Sequence, residues 1–259
     1  MSLDLYAKNT RLSSAPSKFI KSLPVMDGIQ CINFAGATLV QNQLRNGEAL
    51  SIFGAPVQVT DYSSRLIAQN SVLTPFPDFE EATFIIVLRV FASGAGTNST
   101  LAGIYPNTGQ TARGFGIGLL SSGGVFASAS AYSGAEGAAT SNILAMIAAT
   151  AGIPTTWDTG EWRCIAGKTW IEGGRVMVKI LDLTKGSSAQ SQSVAGFVRD
   201  MRNGSQVMSI GQGRGGGQDM VSYKEMANTL IYNRALSDSE IALNYDFLKT
   251  YFAYRGVSI

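Results

Sequence analysis

Cleavage of a glycosidic bond needs two carboxylates about 5–10 Å apart across the scissile bond. The chain has no Glu-x-Asp or Glu-x-Glu pair on one face of any strand. Asp78, Glu80 and Glu81 come nearest, but Pro75 and Pro77 put them in a loop ahead of a strand. Glu161 and Glu172 stand at the two ends of another strand. All five read as solvated turn carboxylates. There is no histidine anywhere in the chain, which removes Ser-His-Asp and Cys-His catalysis and imidazole metal ligands together. Lysine, tyrosine or carboxylate could still act as acid or base, so composition disfavours an enzyme without eliminating it.

Recognition of a sugar asks for less: planar polar groups for paired hydroxyls and aromatic faces for the ring. The run Gly211-Gln-Gly213-Arg-Gly-Gly-Gly217-Gln-Asp219 lacks the Gly-Lys-Ser/Thr ending of a phosphate loop, and no helix N-terminus follows it. It reads as a flexible loop between strands, in which Arg214, Gln218 and Asp219 could meet sugar hydroxyls. Trp157, Trp170, Tyr132 and Tyr105 could stack on sugar rings, although each also fits core or ordinary surface. Together with Asn98, in the Gly/Ser/Asn loop 93–100, the candidate ligand-binding set is Arg214, Gln218, Asp219, Asn98, Trp157 and Tyr132. The segment 156–162 is one residue short of the Asp-box hairpin of sialidases; Asp158-Thr-Gly160 reads as a turn into a strand led by Trp162, a core residue.

These residues must be carried by β-structure. Thr83 to Phe91 is apolar on both faces except at Arg89, and so belongs centrally, covered by two layers. Gly114 to Leu120 and Val125 to Ala131 flank Ser121-Ser-Gly-Gly124, a hairpin signal. Trp162 to Trp170 turns at Glu172-Gly-Gly174 into Arg175 to Leu183, whose Val176, Val178 and Ile180 alternate against Arg175 and Lys179. Gln30 to Phe34, two short strands over Ala49 to Thr60 broken at Gly54-Ala-Pro56, and Val207 to Gly211 complete the pattern. Ser133 to Thr155 fits a short helix or a bridging strand equally. At the end, an apolar strand from Met226 runs into an amphipathic helix. Ser237 is its N-cap, Glu240 completes a capping box, and Ile241, Tyr245, Leu248 and Phe252 form one stripe.

The 259 residues are 45% hydrophobic and only 15% charged, against a usual charged share of roughly 25%. That suits a sheet surface of Ser, Thr, Asn and Gln. The net charge of +2, with no Lys/Arg cluster, gives no basis for nucleic-acid binding. Residues 1–24 read as an N-terminal arm or linker and 25–259 as one sandwich domain. No basic segment precedes an apolar core at the N-terminus, and no 18-residue apolar run exists, so neither a signal peptide nor membrane insertion is expected. Cys31 and Cys164 read as two buried free thiols, with a disulfide between them as the alternative.

The order of these elements resembles the concanavalin A-like lectin/glucanase superfamily, in its laminin-G-like branch. The residues that carry the likeness are Thr83-Phe-Ile-Ile-Val-Leu-Arg-Val90, Gly160-Glu-Trp-Arg-Cys-Ile-Ala166, Ser209-Ile-Gly211 and Leu230-Ile-Tyr-Asn-Arg-Ala-Leu-Ser-Asp-Ser-Glu-Ile241. The resemblance covers about residues 25–255. It implies an all-β, two-sheet antiparallel jelly-roll sandwich with a C-terminal α-helix, one of whose sheets serves many members as a glycan-binding face. Some members hold Ca²⁺; here only Asp219 and Asn98 would serve as ligands, and no cofactor is expected. Low charge and abundant Ser, Asn and Gln resemble such domains in bacteriophage and prophage virions. The expectation is a non-catalytic module of a tail or receptor-binding protein, made in the host cytoplasm and located in the virion. Its partners would be a bacterial surface glycan and other virion proteins, and its oligomer a homotrimer. The alternative is a structural virion decoration or assembly protein without sugar binding; a glycan hydrolase ranks behind both.

Overall fold

The computed structural model describes residues 23–44, 47–66, 70–93, 99–104, 113–120, 124–148, 160–202, 206–211 and 222–259. In chain order the strands are β1 (Ile29–Phe34), β2 (Ser51–Phe53), β3 (Val57–Thr60), β4 (Ser63–Arg65), β5 (Ser71–Leu73), β6 (Ala82–Ser93), β7 (Ser99–Gly103) and β8 (Phe115–Leu119). They continue as β9 (Val125–Tyr132), β10 (Ser141–Ile147), β11 (Trp162–Glu172), β12 (Arg175–Asp182), β13 (Ser187–Gln192), β14 (Val198–Arg199), β15 (Ser209–Gly211) and β16 (Ser222–Tyr232), followed by the helix α1 (Asp238–Ala253). The strands form two antiparallel eight-stranded sheets. The first runs β13-β12-β11-β6-β16-β4-β3, with β1 paired beside β4 on the same edge of β16. The second runs β10-β9-β8-β7-β15-β5-β2, with β14 on β9. This is the two-sheet jelly-roll sandwich with a C-terminal helix that the resemblance implies.

The alternation along β6 explains the layers. Phe84, Ile86 and Leu88 enter the core between the sheets, whereas Ile85 and Val87 enter a second apolar cluster on the other face. The layer over that second face is α1, whose Ile241, Leu248 and Phe252 are fully buried. Burying each such side chain contributes roughly 1.5–3 kcal/mol. Tyr245, the fourth member of the expected stripe, is half-buried and donates its hydroxyl to the Ile259 carbonyl at 3.1 Å. The Ser237 capping box is present on both sides. Lys168 and Lys179 stand directly opposite each other across β11 and β12, and both donate to Asp238 in the first helical turn. The acidic first turn therefore neutralises a cross-strand like-charge pair that would otherwise oppose the sheet.

Close approach of the sheets depends on Gly167. A Cβ there would lie 2.2 Å from Ile117 Cγ2 of the opposite sheet, so a larger residue would force the Ile117 side chain or its strand to shift. The ambiguous segment resolves in part: Ser141–Ile147 is strand β10, with Ile143 and Ala145 turned into the core and Leu144 and Met146 turned out. Strand β13, Ser-Ser-Ala-Gln-Ser-Gln, carries no apolar run and had no signal of its own. The two short strands either side of Gly54 belong to different sheets. Leu23 is buried beneath the helix, so packed structure extends back into the expected arm; residues 1–22 lie outside the described residues. Cys31 and Cys164 are both free and buried. They face opposite sides of the first sheet, in separate clusters, which rules out a bond between them.

Candidate functional site at the β8–β9–β14 junction

Strand β9 positions this site. Val125, Ala127, Ala129 and Ala131 face the core, leaving Ser128, Ser130 and Tyr132 on the outer side of the second sheet. Two strands share one edge of β9 end to end. Strand β8 pairs along Val125–Ala129 and β14 along Ala131–Tyr132. They meet at Ser130, whose N–H donates to the Gly114 carbonyl and whose carbonyl accepts from the Asp200 N–H. Arg113, just before β8, is thereby brought to Asp200, just after β14. Gly114 has φ +121°, and a Cβ there would lie 2.8 Å from Ile104 Cβ. Only glycine permits this junction.

A short polar network results. The Asp200 carboxylate has no exposed surface. Its Oδ1 accepts from Arg202 Nε at 2.8 Å and from the Arg202 backbone N–H at 3.1 Å. Its Oδ2 accepts from Arg202 Nη2 at 2.8 Å and from the Thr140 hydroxyl. Arg113 Nε lies 3.6 Å from the same Oδ2, and Arg113 Nη1 donates to the Arg202 carbonyl at 2.9 Å. Burial pushes the Asp200 carboxyl upward, but the hydrogen bonds from Arg202 and Thr140 outweigh it and hold the group well below the usual carboxylate range. It stays ionised and acts as an orienting group.

Arg202 also donates to the Ala138 carbonyl at 3.2 Å, and its guanidinium stands 3.9 Å from the centroid of the Tyr132 ring. This stack fixes both groups. Its Nη1 makes no hydrogen bond among the described residues. On the adjacent strand, Asn142 of β10 accepts from the Ser130 hydroxyl at 3.0 Å. Beneath the cluster, Arg199 Nη2 pairs with Asp78 Oδ2 at 2.8 Å, both side chains 1% exposed. Arg199 Nε donates to the Glu80 carbonyl and Nη1 to the Ser130 carbonyl. The pair anchors the loop before β6 to β14, and so anchors Asp200 and Arg202.

Of the sequence candidates, Tyr132 lies at this site. One face of its ring is taken by Arg202, and the residue is partly exposed. Arg214, Gln218, Asp219, Asn98 and Trp157, with Tyr105, lie outside the described residues. The expectation of a solvated Asp78 is corrected: it is buried in an ion pair, because its partner lies 121 residues away in the chain. Burial pushes its carboxyl up despite that partner. Glu161 is exposed and pairs with Lys185 at 2.6 Å. Glu172 accepts from the Trp170 indole at 3.1 Å. Trp162 is buried under the helix, as expected. Sequence reasoning missed Arg113, Thr140, Asp200 and Arg202. The available signal was Arg199-Asp-Met-Arg202, a dense charge group in a chain otherwise poor in charge.

No group of three or more Cys, Asp or Glu side chains able to hold a metal ion occurs among the described residues; the two Ca²⁺ candidates lie outside them. No helix among them is long and apolar enough to cross a membrane.

The fold and this marginal polar cluster define a two-sheet jelly-roll module. No protein-family model and no curated protein matches the chain. Solved structures do. The chain is similar to the botulinum neurotoxin type G receptor-binding domain, with TM-score 0.57 and 10% identity over 84% of this chain and 50% of that one. It is similar to the binding domain of botulinum neurotoxin DC in complex with SialylT, with TM-score 0.53 and 12% identity over 86% and 52%. It is also similar to Trypanosoma rangeli sialidase, with TM-score 0.51 and 13% identity over 88% and 34%. The chain thus spans about half the length of the neurotoxin domains and about a third of the sialidase, and the likeness is one of fold.

Proposed function

We propose that this chain is a non-catalytic carbohydrate-binding module of a phage or prophage virion protein, in its tail or receptor-binding apparatus, recognising a bacterial surface glycan. The observation that carries the reading is the Tyr132–Arg202–Asp200 arrangement. An aromatic ring, an oriented guanidinium and adjacent Ser, Thr and Asn side chains sit together at one sheet margin, the combination that grips sugar rings and their hydroxyls. The neighbours support it at the level of class, since one is a binding domain in complex with SialylT and another is a sialidase. Asp78 and Asp200 are each engaged by arginine with almost no exposed surface, which supports binding over hydrolysis. The virion setting and a homotrimeric state rest on the resemblance of this low-charge, Ser/Asn/Gln-rich chain to such domains in bacteriophage and prophage virion proteins. The purified protein should bind selectively on a glycan array and to whole bacterial cells. Absence of any selective binding sinks the reading.

A second reading, a structural virion decoration or assembly protein, is favoured by strand β10, whose outward Leu144 and Met146 are 41% and 50% exposed at a sheet edge. Incorporation into particles without any glycan binding would establish it in place of the first.

A further inference from the structure

We infer that the β8–β9–β14 junction is a subsite for an acidic sugar, with a sugar carboxylate docked on the guanidinium edges of Arg113 and Arg202 beside the Tyr132 ring; the inference rests on the glycan-binding reading above. Three observations lead to it. First, two guanidinium groups converge on one carboxylate, Asp200. Beneath them, Arg199 is matched by Asp78 and by the nearby Glu80 carboxylate, so the positive groups at the surface of the junction are Arg113 and Arg202.

Second, the Asp200 oxygens are already filled, by Arg202 Nε, Nη2 and backbone N–H and by the Thr140 hydroxyl. What remains open is a donor: Arg202 Nη1 makes no hydrogen bond among the described residues, whereas Arg113 Nε is buried against Asp200. Both side chains are about one-third exposed, 32% and 34%. A neutral sugar hydroxyl can accept there, but a carboxylate accepts with full charge and in the planar geometry that a guanidinium fork matches. Third, Arg202 is held on three sides, by Asp200, the Ala138 carbonyl and the Tyr132 face. Little side-chain entropy is then lost when a ligand binds.

The test uses the intact protein and measures its affinity for uronic-acid oligosaccharides and sialyllactose, each against its carboxyl-reduced neutral counterpart and a phosphorylated analogue. The acidic form should bind about tenfold to a hundredfold more tightly than the reduced form, the range expected for one charged hydrogen-bonded contact. Arg113→Gln and Arg202→Gln should each remove most of that preference, with thermal melting of each variant checked alongside. The comparison of acidic with reduced sugar on the unaltered protein needs no variant to fold. Equal binding of the acidic and reduced forms overturns the subsite while leaving glycan binding intact. Preference for the phosphorylated sugar overturns the carboxylate assignment. Binding to none of the acidic or neutral probes, with none on a wider array, overturns both readings.

Discussion

Asn244 of the helix donates through Nδ2 to the Tyr232 hydroxyl at 3.0 Å, and that hydroxyl donates to the Val25 carbonyl, also at 3.0 Å. Both side chains are fully buried in the apolar layer between helix and first sheet. A single phenol thus ties together the final strand, the helix and the segment leading into β1. Burial pushes the phenol up, so it stays protonated and able to donate. The phenol and the Asn244 amide nitrogen are thereby paired, whereas Asn244 Oδ1 is buried with no hydrogen-bond partner among the described residues.

Removing one partner should cost more than the bond itself, because the other is left buried and unpaired. Tyr232→Phe is expected to destabilise the protein by about 1–3 kcal/mol. Asn244→Leu should cost less than the sum when combined with Tyr232→Phe. Urea unfolding of the two single variants and the double variant measures the coupling; strict additivity would show that the bond contributes nothing.

The buried Arg199–Asp78 pair should behave asymmetrically. Arg199→Met leaves a buried carboxylate alone and is expected to cost about 3–5 kcal/mol, whereas adding Asp78→Leu should restore part of the loss. Since Arg199 anchors the strand that delivers Arg202, the single variant should also weaken glycan binding. Parallel denaturation and binding measurements check both outcomes.

Acid should loosen the helix end of the sandwich first. The Arg234 guanidinium and the Ser237 backbone and hydroxyl hold the Glu240 carboxyl at about 2, below its usual 4.5. A folded-state value below the unfolded one stabilises fully above the unfolded value, and the contribution is lost as pH falls from 4.5 toward 2. Asp238 shifts the same way: burial acts to raise it, and the bonds from Lys168 and Lys179 prevail. The melting temperature should therefore drop through this window, and Glu240→Gln should flatten the drop. Ser237→Ala removes both the cap and the hydroxyl that helps lower Glu240, and should cost about 1 kcal/mol above the window and less within it.

Both thiols should be silent toward an aqueous thiol reagent in the native protein. Burial pushes Cys31 and Cys164 far up, so neither forms the reactive thiolate. Two equivalents should react in denaturant. Fast modification of either under native conditions would contradict the burial.

The elements were legible in the sequence wherever their signal is local. Alternation along β6 and β12, the Gly173-Gly174 turn and the Ser237/Glu240 capping box each lie within a few residues, and backbone stereochemistry acts over that range. Strand β13 was not legible because its Ser/Ala/Gln run buries almost nothing; it is a strand only because β12 supplies the hydrogen bonds. The same limit governs the site. Tyr132 could be named as an aromatic candidate, yet its use depends on Arg202, 70 positions along the chain by number. The assignment of β2 and β3 to different sheets, the pairing of Asp78 with Arg199 and the convergence of Arg113 on Asp200 are products of the tertiary structure alone. Periodicity records which face of a segment is buried. Which distant charge arrives beside it is decided when β8 and β14 close on the same edge of β9 and the buried groups there must find partners.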